Sequence, residues 1–375
     1  YKVTRHEKLA KPEPLLDWSD TVKDAPKPTK AAEWKPPRDE WEITKREDGS
    51  TLVFSYESKT VLTGEEGEQF FSPGPMLLNS EQSLSLKCLD QQVWEFYEFA
   101  ISASSRVPVA QLELTGVAGS ERGILAACKS KKLTGLRLVI DGRENPTKVL
   151  TKSALDALQS RDDITDLEIE THGIEHEGVI YGSLAGMIGV RHFVLHDPGC
   201  MRFPFGLSIW TQLETLDYEG RSAEGIEALT GLRSLKLSQV KVPAQQGLKI
   251  AELPKLQTLE LVSAWFAPPA LASLSNLTEL RLTGKIEDVT YLIEGGARLK
   301  GLKTLTICSE GLTSGDVGQL AESSVENLSI IGGLAEASDV TALATLKNLR
   351  RLTLHGVNGA GAEDLAALTS LTGVQ

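Results

Sequence analysis

The chain has 375 residues with 51 acidic and 39 basic side chains, a net charge of −12 and a pI of about 5.2. This acidic balance argues against nucleic acid or an anionic membrane surface as the main partner, and it permits a basic protein partner. No apolar run reaches the length that crosses a bilayer, so membrane insertion is not predicted.

The first segment, residues 1–40, is predicted to be an extended arm. It holds six of the sixteen prolines, with lysines and acidic residues between them. Such a composition opposes regular helix and sheet. The arm also carries Trp18 and Trp34, which are unusual in a plain linker. Two interpretations stay open: the arm folds back onto its own domain, or it docks on a partner through these tryptophans.

Residues 41–105 are predicted to form a hairpin and helix that cap the repeats described below. Apolar and polar residues alternate on both sides of Asp48-Gly49, a turn signal, which predicts a β-hairpin over 41–56. The segment 80–100 is ambiguous, because some of its apolar residues alternate as in a strand. Others recur three and four apart, which favours a helix.

The rest of the chain is organised around eleven short leucine pairs of the form L-x-L or a close variant. They recur at a mean spacing of 24 residues, with single spacings from 19 to 31. A period in the twenties is typical of a solenoid. The pairs are Leu112/Leu114, Leu136/Leu138, Leu167/Ile169, Phe193/Leu195, Leu216/Tyr218, Leu235/Leu237, Leu259/Leu261, Leu280/Leu282, Leu305/Ile307, Leu328/Ile330 and Leu352/Leu354.

Each leucine pair predicts one strand of a parallel sheet. In an extended segment alternate side chains point to opposite faces, so Leu235 and Leu237 face one way and Lys236 faces the other. One strand cannot bury its leucines alone, but stacked strands form a continuous core. Between strands, segments such as 223–229 and 362–368 have apolar residues three apart, which predicts short helices.

The recurrent L-x-x-L-x-x-L-x-L, as in 229–237 and 346–354, resembles the leucine-rich repeat superfamily over residues 106–375. The resemblance implies an α/β solenoid with a parallel concave sheet and short convex helices. That superfamily usually places Asn or Cys five residues after the first strand leucine, and none of the eleven repeats does so here. The turn after each strand must therefore satisfy its backbone groups in another way.

The sequence from 368 to 374 repeats the spacing that leads into a strand, and no polar cap follows it. Because solenoids normally end in such a cap, a fragment truncated at its C-terminal end is expected.

The motifs that would indicate catalysis are missing from the sequence. It contains no phosphate-binding glycine loop, no G-x-S-x-G and no cysteine pair with metal-ligand spacing, so neither an enzyme nor a cofactor or metal site is predicted. Its four cysteines lack paired spacing and are interpreted as free thiols. Free thiols favour a reducing compartment such as the cytoplasm.

One group of outward positions is strongly acidic, and we call it the acidic strip. Aligned by their leucines, three neighbouring strands place carboxylates and histidines side by side, whereas later strands offer Lys236, Arg281 and Arg351. Its members are Asp166, Glu168, Glu170, His192, His196, Asp217 and Glu219. Three interpretations compete: a solvated polar face, a docking surface for a basic partner, or a metal site with ligands from adjacent strands, such as Glu170 and His196.

The sequence thus predicts a non-enzymatic protein–protein interaction module or scaffold. The predicted contact residues are the acidic strip together with Trp18 and Trp34 of the arm. Two alternatives stay open: a regulatory or targeting part of a larger enzyme or assembly, and a cell-surface recognition protein.

Overall fold

The computed structural model describes two compact units, Tyr1–Val139 and Ile140–Gln375. Its backbone is described for residues 2–6, 41–45, 51–55, 61–63, 69–71, 76–78, 83–87, 109–115, 124–125, 128–129, 133–140, 151–171, 181, 183–334, 339–355 and 366–370, with side chains from residue 124 onward.

Nine strands belong to the first unit. They are β1 Lys2–His6, β2 Trp41–Lys45, β3 Thr51–Ser55, β4 Val61–Thr63, β5 Gln69–Phe71, β6 Met76–Leu78, β7 Ser83–Lys87, β8 Val109–Thr115 and β9 Gly135–Ile140. One sheet has the order β9-β8-β7-β1-β4-β5, and a second has the order β2-β3-β6. The predicted hairpin over 41–56 is confirmed, because β2 and β3 pair antiparallel with Trp41 opposite Ser55.

Two other expectations for this unit need correction. Lys2–His6 pairs with β4 and β7, so these five residues belong to a sheet and not to an arm; the prolines begin only at Pro12. Ser83–Lys87, where a helix was predicted, is a strand. Its sequence SLSLK alternates with a period of two, and this local pattern prevails over the three-to-four spacing of the wider segment. The remainder of 80–100 lies outside the described residues.

The second unit contains a parallel sheet of nine strands. In spatial order they are β10 Asp166–Thr171, β11 His192–His196, β12 Thr215–Glu219, β13 Ser234–Ser238, β15 Thr258–Val262, β17 Glu279–Thr283, β18 Thr304–Cys308, β19 Asn327–Ile331 and β20 Arg351–His355. Two shorter strands, β14 Lys241–Val242 and β16 Trp265–Phe266, pair parallel beside this sheet. Every leucine pair lies on a strand, as predicted, and in the second unit each pair position stands opposite the same position of the next strand, for example Leu235 opposite Leu259 and Phe193 opposite Leu216.

The leucine face of the sheet is the core. From Leu136 to Ile330, no member of a leucine pair is more than 2% exposed. The alternate positions are exposed or half-buried, apart from buried Ser238, so the predicted orientation of these strands is confirmed. We call the face opposite the leucines the open face.

Short helices cover the leucine face. A Cβ on Gly296 of one such helix would lie 2.9 Å from a methyl group of Leu280, which shows how closely helix and strand pack. The helices are α1 Lys152–Gln159, α2 Ala244–Ala251, α3 Pro268–Leu271, α4 Ile286–Ala297, α5 Ser314–Gly318 and α6 Val340–Leu343. Within the predicted segment 223–229, only a single 3-10 turn forms, at Ile226–Ala228. Among the described residues, no helix has both the length and the apolar character needed to span a bilayer.

Backbone hydrogen bonds hold adjacent repeats together where each strand begins. The carbonyl two residues before the first strand leucine accepts two successive N–H groups from the next repeat, at 2.7–3.1 Å. Arg191, for example, accepts from Glu214 and Thr215. The eight carbonyls that do this belong to Thr165, Arg191, Glu214, Arg233, Gln257, Thr278, Lys303 and Glu326.

Backbone hydrogen bonds also hold the turn that follows a strand. They take the place of the Asn or Cys side chain that these repeats lack. The residue four after the first strand leucine donates its N–H to the last carbonyl of the next strand, as Gln239 does to Val262 at 2.9 Å. The same bond runs from Asp197 to Glu219 and from Ser309 to Ile331. The orphan backbone groups are therefore paired without a side-chain ladder.

A third contact between repeats lies four residues before the first strand leucine. At this position Asn276 and Asn348 donate their side-chain amides to carbonyls of the preceding repeat, at 3.1 and 2.8 Å. Gly231 occupies the same position in another repeat, and a Cβ there would lie 2.1 Å from the carbonyl oxygen of Thr211. At Ser324, the same position in a further repeat, a hydroxyl makes this contact by donating to the carbonyl of Leu302 at 2.9 Å.

Candidate functional site: the acidic strip on the open face

All seven residues of the acidic strip lie on the open face of β10, β11 and β12. Asp166 and His192 are exposed; Glu168, Glu170, His196, Asp217 and Glu219 are half-buried. The sequence therefore predicted their orientation correctly, while their role in binding stays a prediction.

The strand register arranges these side chains in three rows. The rows are Asp166, His192 and Thr215; Glu168, Val194 and Asp217; and Glu170, His196 and Glu219. Asp166 beside His192 and Glu170 beside His196 are the neighbours that the leucine alignment predicted. In the middle row Val194 separates two carboxylates with a half-buried apolar side chain.

At its two ends the strip is held by hydrogen bonds from neutral groups. The hydroxyl of Thr165 donates to Asp166 Oδ2 at 2.6 Å, and the amide of Gln239 donates to Glu219 Oε1 at 2.6 Å. These contacts orient both carboxylates and leave their negative charge in place. They also bring in Gln239, a turn residue that sequence reasoning did not assign to the strip.

The centre of the strip is a cluster of three charged groups, which we call the Asp217 triad. His196 Nε2 lies 3.2 Å from Asp217 Oδ1, and Lys236 Nζ lies 2.8 Å from Asp217 Oδ2. The Asp217 side chain is only 22% exposed and that of His196 29%, so water screens this contact less than it would at a fully open surface.

Burial opposes ionisation of Asp217, but the contacts with His196 and then Lys236 outweigh it, and the pKa of this carboxyl lies below its usual value. The contact with Asp217 raises the pKa of His196 above the usual 6.5, against the opposing effect of burial. Asp217 is therefore ionised, and the protonated form of His196 is favoured.

Lys236 corrects one sequence-based expectation. It was counted as a basic residue separate from the strip, yet its ammonium group reaches back from β13 to Asp217. The register places Lys236 directly opposite Asp217, so the leucine alignment already contained this signal. The negative charge of the strip is consequently concentrated at its two ends.

The remaining open face carries no comparable excess of one charge. Glu260 on β15 pairs with Arg281 on β17 at 3.6 Å. Further along, the outward positions of β18 and β19 hold no charged side chain. Among the described strands of this unit, negative charge is therefore concentrated on β10 and β12.

A shallow depression of about 470 Å³ lies beside the strip at the turns after β13 and β15. Lys241 Nζ stands 5.5 Å above the Trp265 ring. Gln239 and Ser263 line the depression with left-handed backbones, φ 59° and 47°, a conformation that is uncommon outside glycine. Since Gln239 also bonds to Glu219, the depression adjoins the strip, and the leucine pattern gave no indication of it.

The other predicted site elements have different outcomes. Trp18 and Trp34 lie outside the described residues. Within the described part of the chain, no three His, Cys, Asp or Glu side chains come together as metal ligands.

Comparison with known proteins finds no matching family profile and no matching curated protein. Solved structures do match. An internalin from Listeria monocytogenes is 18% identical, with 76% of this chain and 87% of that chain covered, and its TM-score is 0.43.

Two further structures are a Drosophila Toll–Spatzle complex and a plant peptide hormone receptor with its peptide. The first is 11% identical, covering 88% of this chain and 56% of that chain, with a TM-score of 0.36. The second is 13% identical, covering 68% and 49%, with a TM-score of 0.31. The chain thus spans about half the length of each of these two proteins.

The fold is established by the chain's own geometry. Strands recur at spacings of 19 to 31 residues and pair in parallel, their leucines are buried, and short helices cover that side. The chain therefore has a leucine-rich-repeat-like α/β fold, with a parallel sheet on one side and short helices on the other.

Proposed function

We propose that the chain is a non-enzymatic protein-binding module whose acidic strip binds a basic segment of a protein partner. One observation supports this most directly: five carboxylates lie on the open face of β10 and β12, whereas β13 carries a single lysine there and Glu260 of β15 is paired with Arg281 of β17. Clustered charge of one sign speeds the association of an oppositely charged partner more than it strengthens the final complex.

A cation of the partner would interact most favourably with the carboxylates at the ends of the strip. Asp166 and Glu219 accept their hydrogen bonds from neutral groups, whereas Asp217 already contacts two basic side chains. A partner's lysine or arginine that approached Asp217 would compete with Lys236. We therefore propose that Asp166 and Glu219 contribute more to binding than Asp217 does.

A charge reversal tests this proposal. Asp166→Lys combined with Glu219→Lys is expected to reduce the association rate with fluorescein-labelled octalysine by about tenfold at low salt, because the attractive field is removed. The rate is measured by stopped-flow fluorescence. At about 1 M salt the difference is expected to disappear, since the Debye length is then only about 3 Å.

The matched control changes net charge by the same amount away from the strip. Glu252→Lys with Glu279→Lys replaces two exposed carboxylates, one after α2 and one on β17. If both double variants slow association equally, octalysine responds only to overall charge and the strip is not a binding site.

The free thiols support a reducing compartment, and we propose the cytoplasm as the location. Among the described residues, Cys200 and Cys308 form no disulfide. Cys308, predicted to face outward, occupies an open-face position on β18 and is half-buried. Cys88 lies outside the described residues. A reducing compartment keeps such thiols reduced.

Thiol titration checks this point. The denatured, unreduced protein is expected to show all four cysteines as free thiols. In the native protein Cys200 is expected to react slowly, because burial raises the pKa of its thiol to about 11 and disfavours the thiolate. A count of two or none after denaturation would contradict the proposed compartment.

A further inference from the structure

We propose that His196 makes binding of a basic partner pH-dependent, so that loss of its proton turns the acidic strip to its high-affinity state. This inference rests on the proposed function and concerns the regulation of that same site. It is carried by the position of one imidazole in the middle of the strip.

His196 is surrounded by charged groups on three neighbouring strands. Glu170 lies opposite it on β10, and Glu219 lies opposite it on β12. Asp217 Oδ1 of β12 is 3.2 Å from its Nε2, and Lys236 of β13 holds the other oxygen of that carboxylate. Protonation of His196 therefore adds a positive charge among carboxylates that are proposed to attract the partner.

The contact with Asp217 favours the protonated state. Both Nε2 and Oδ1 are shielded from solvent, and neither atom has a hydrogen-bond partner among the described residues. The contact raises the pKa of His196, so its proton is lost at a higher pH than that of an ordinary histidine.

The direction of the effect follows from linkage. A bound cation repels the imidazolium and lowers its pKa, so binding releases a proton, and by reciprocity proton loss strengthens binding. Affinity is low below the pKa of His196 in the free protein and rises as pH passes through that value. His355 is the comparison residue, since it is exposed on β20 and lies outside the strip.

The test measures affinity for fluorescein-labelled octalysine by anisotropy between pH 6 and 8.5 at low salt. For the wild type, affinity is expected to rise about three- to tenfold across this range, the size of one added charge repulsion at a partly screened site. His196→Gln is expected to abolish most of this rise, whereas His355→Gln, on β20 outside the strip, is expected to keep it.

A second measurement does not depend on a variant. The imidazole resonance of His196 is titrated by NMR with and without octalysine, and the bound midpoint is expected to lie about 0.5–1 pH unit lower, the same three- to tenfold effect. An unchanged midpoint, or a rise in affinity that persists in His196→Gln, would overturn the inference and leave the proposed function standing. If octalysine does not bind the wild type even at pH 8.5, the proposed function fails and this inference fails with it.

Discussion

Replacing Leu259 with alanine is expected to lower the free energy of unfolding by about 2–5 kcal/mol, because the change deletes methyl groups from a closely packed interior. Leu259 is fully buried on β15, with Leu235 and Leu280 as its register partners on either side. Urea unfolding followed by circular dichroism measures the loss.

The control is the neighbouring position on the same strand. Thr258 faces the open side and is half-buried, so Thr258→Ala is expected to change stability by less than about 0.5 kcal/mol. A loss below about 1 kcal/mol for Leu259→Ala would mean that Leu259 does not act as a core residue.

Gly231→Ala is expected to destabilise the protein by about 3 kcal/mol, at the upper end of the range for inserting one methyl group into a packed interior. The new Cβ would lie 2.1 Å from the carbonyl oxygen of Thr211 and 3.0 Å from that of Leu213. Both obstacles are backbone atoms of the preceding repeat, so the two repeats would have to separate.

The same substitution has the opposite expected sign in α5. Gly318 is exposed in this helix, and a Cβ there would meet nothing within 4 Å. Gly318→Ala is therefore expected to stabilise the protein by about 0.5–1 kcal/mol, because alanine is the better helix former. Thermal unfolding of both variants compares them directly. Equal losses would show that contact with the preceding repeat is not what constrains Gly231.

The sequence allowed the strands, their parallel order and their two faces to be predicted. Period-two alternation fixes which side of a strand is buried, and leucines at corresponding places fix the register between strands. Asp166 beside His192 and Glu170 beside His196 follow from these two facts alone.

The rest depended on contacts that periodicity does not encode. The segment 223–229 forms one short turn rather than a helix, because only 14 residues separate the end of β12 from the start of β13 and they must also return the chain to the start of the next strand. The sequence pattern did not reveal that the position four residues before the first strand leucine contacts the preceding repeat. Gly231 and Asn276 both occupy it and both meet backbone atoms of that repeat, but a glycine and an amide have no chemical feature in common. The reach of Lys236 depends on its rotamer, which alternation leaves open.

The two sets of backbone bonds at the strand ends have a geometrical consequence for recognition. From Leu167 to Leu352 the spacing of the repeats varies from 19 to 26 residues, yet the backbone bonds at the strand ends keep neighbouring strands in register. Added residues are therefore accommodated behind the sheet. The strands of the open face keep a regular spacing of about 4.8 Å. The position of each side chain on the open face is set by its strand and its register row, and it does not depend on loop length. The chemical character of an open-face position can therefore change without a change in the backbone. Placing the acidic side chains of Asp166, Glu168 and Glu170 at the equivalent positions Thr304, Thr306 and Cys308 would move the negative charge to β18 and leave the sheet as it is.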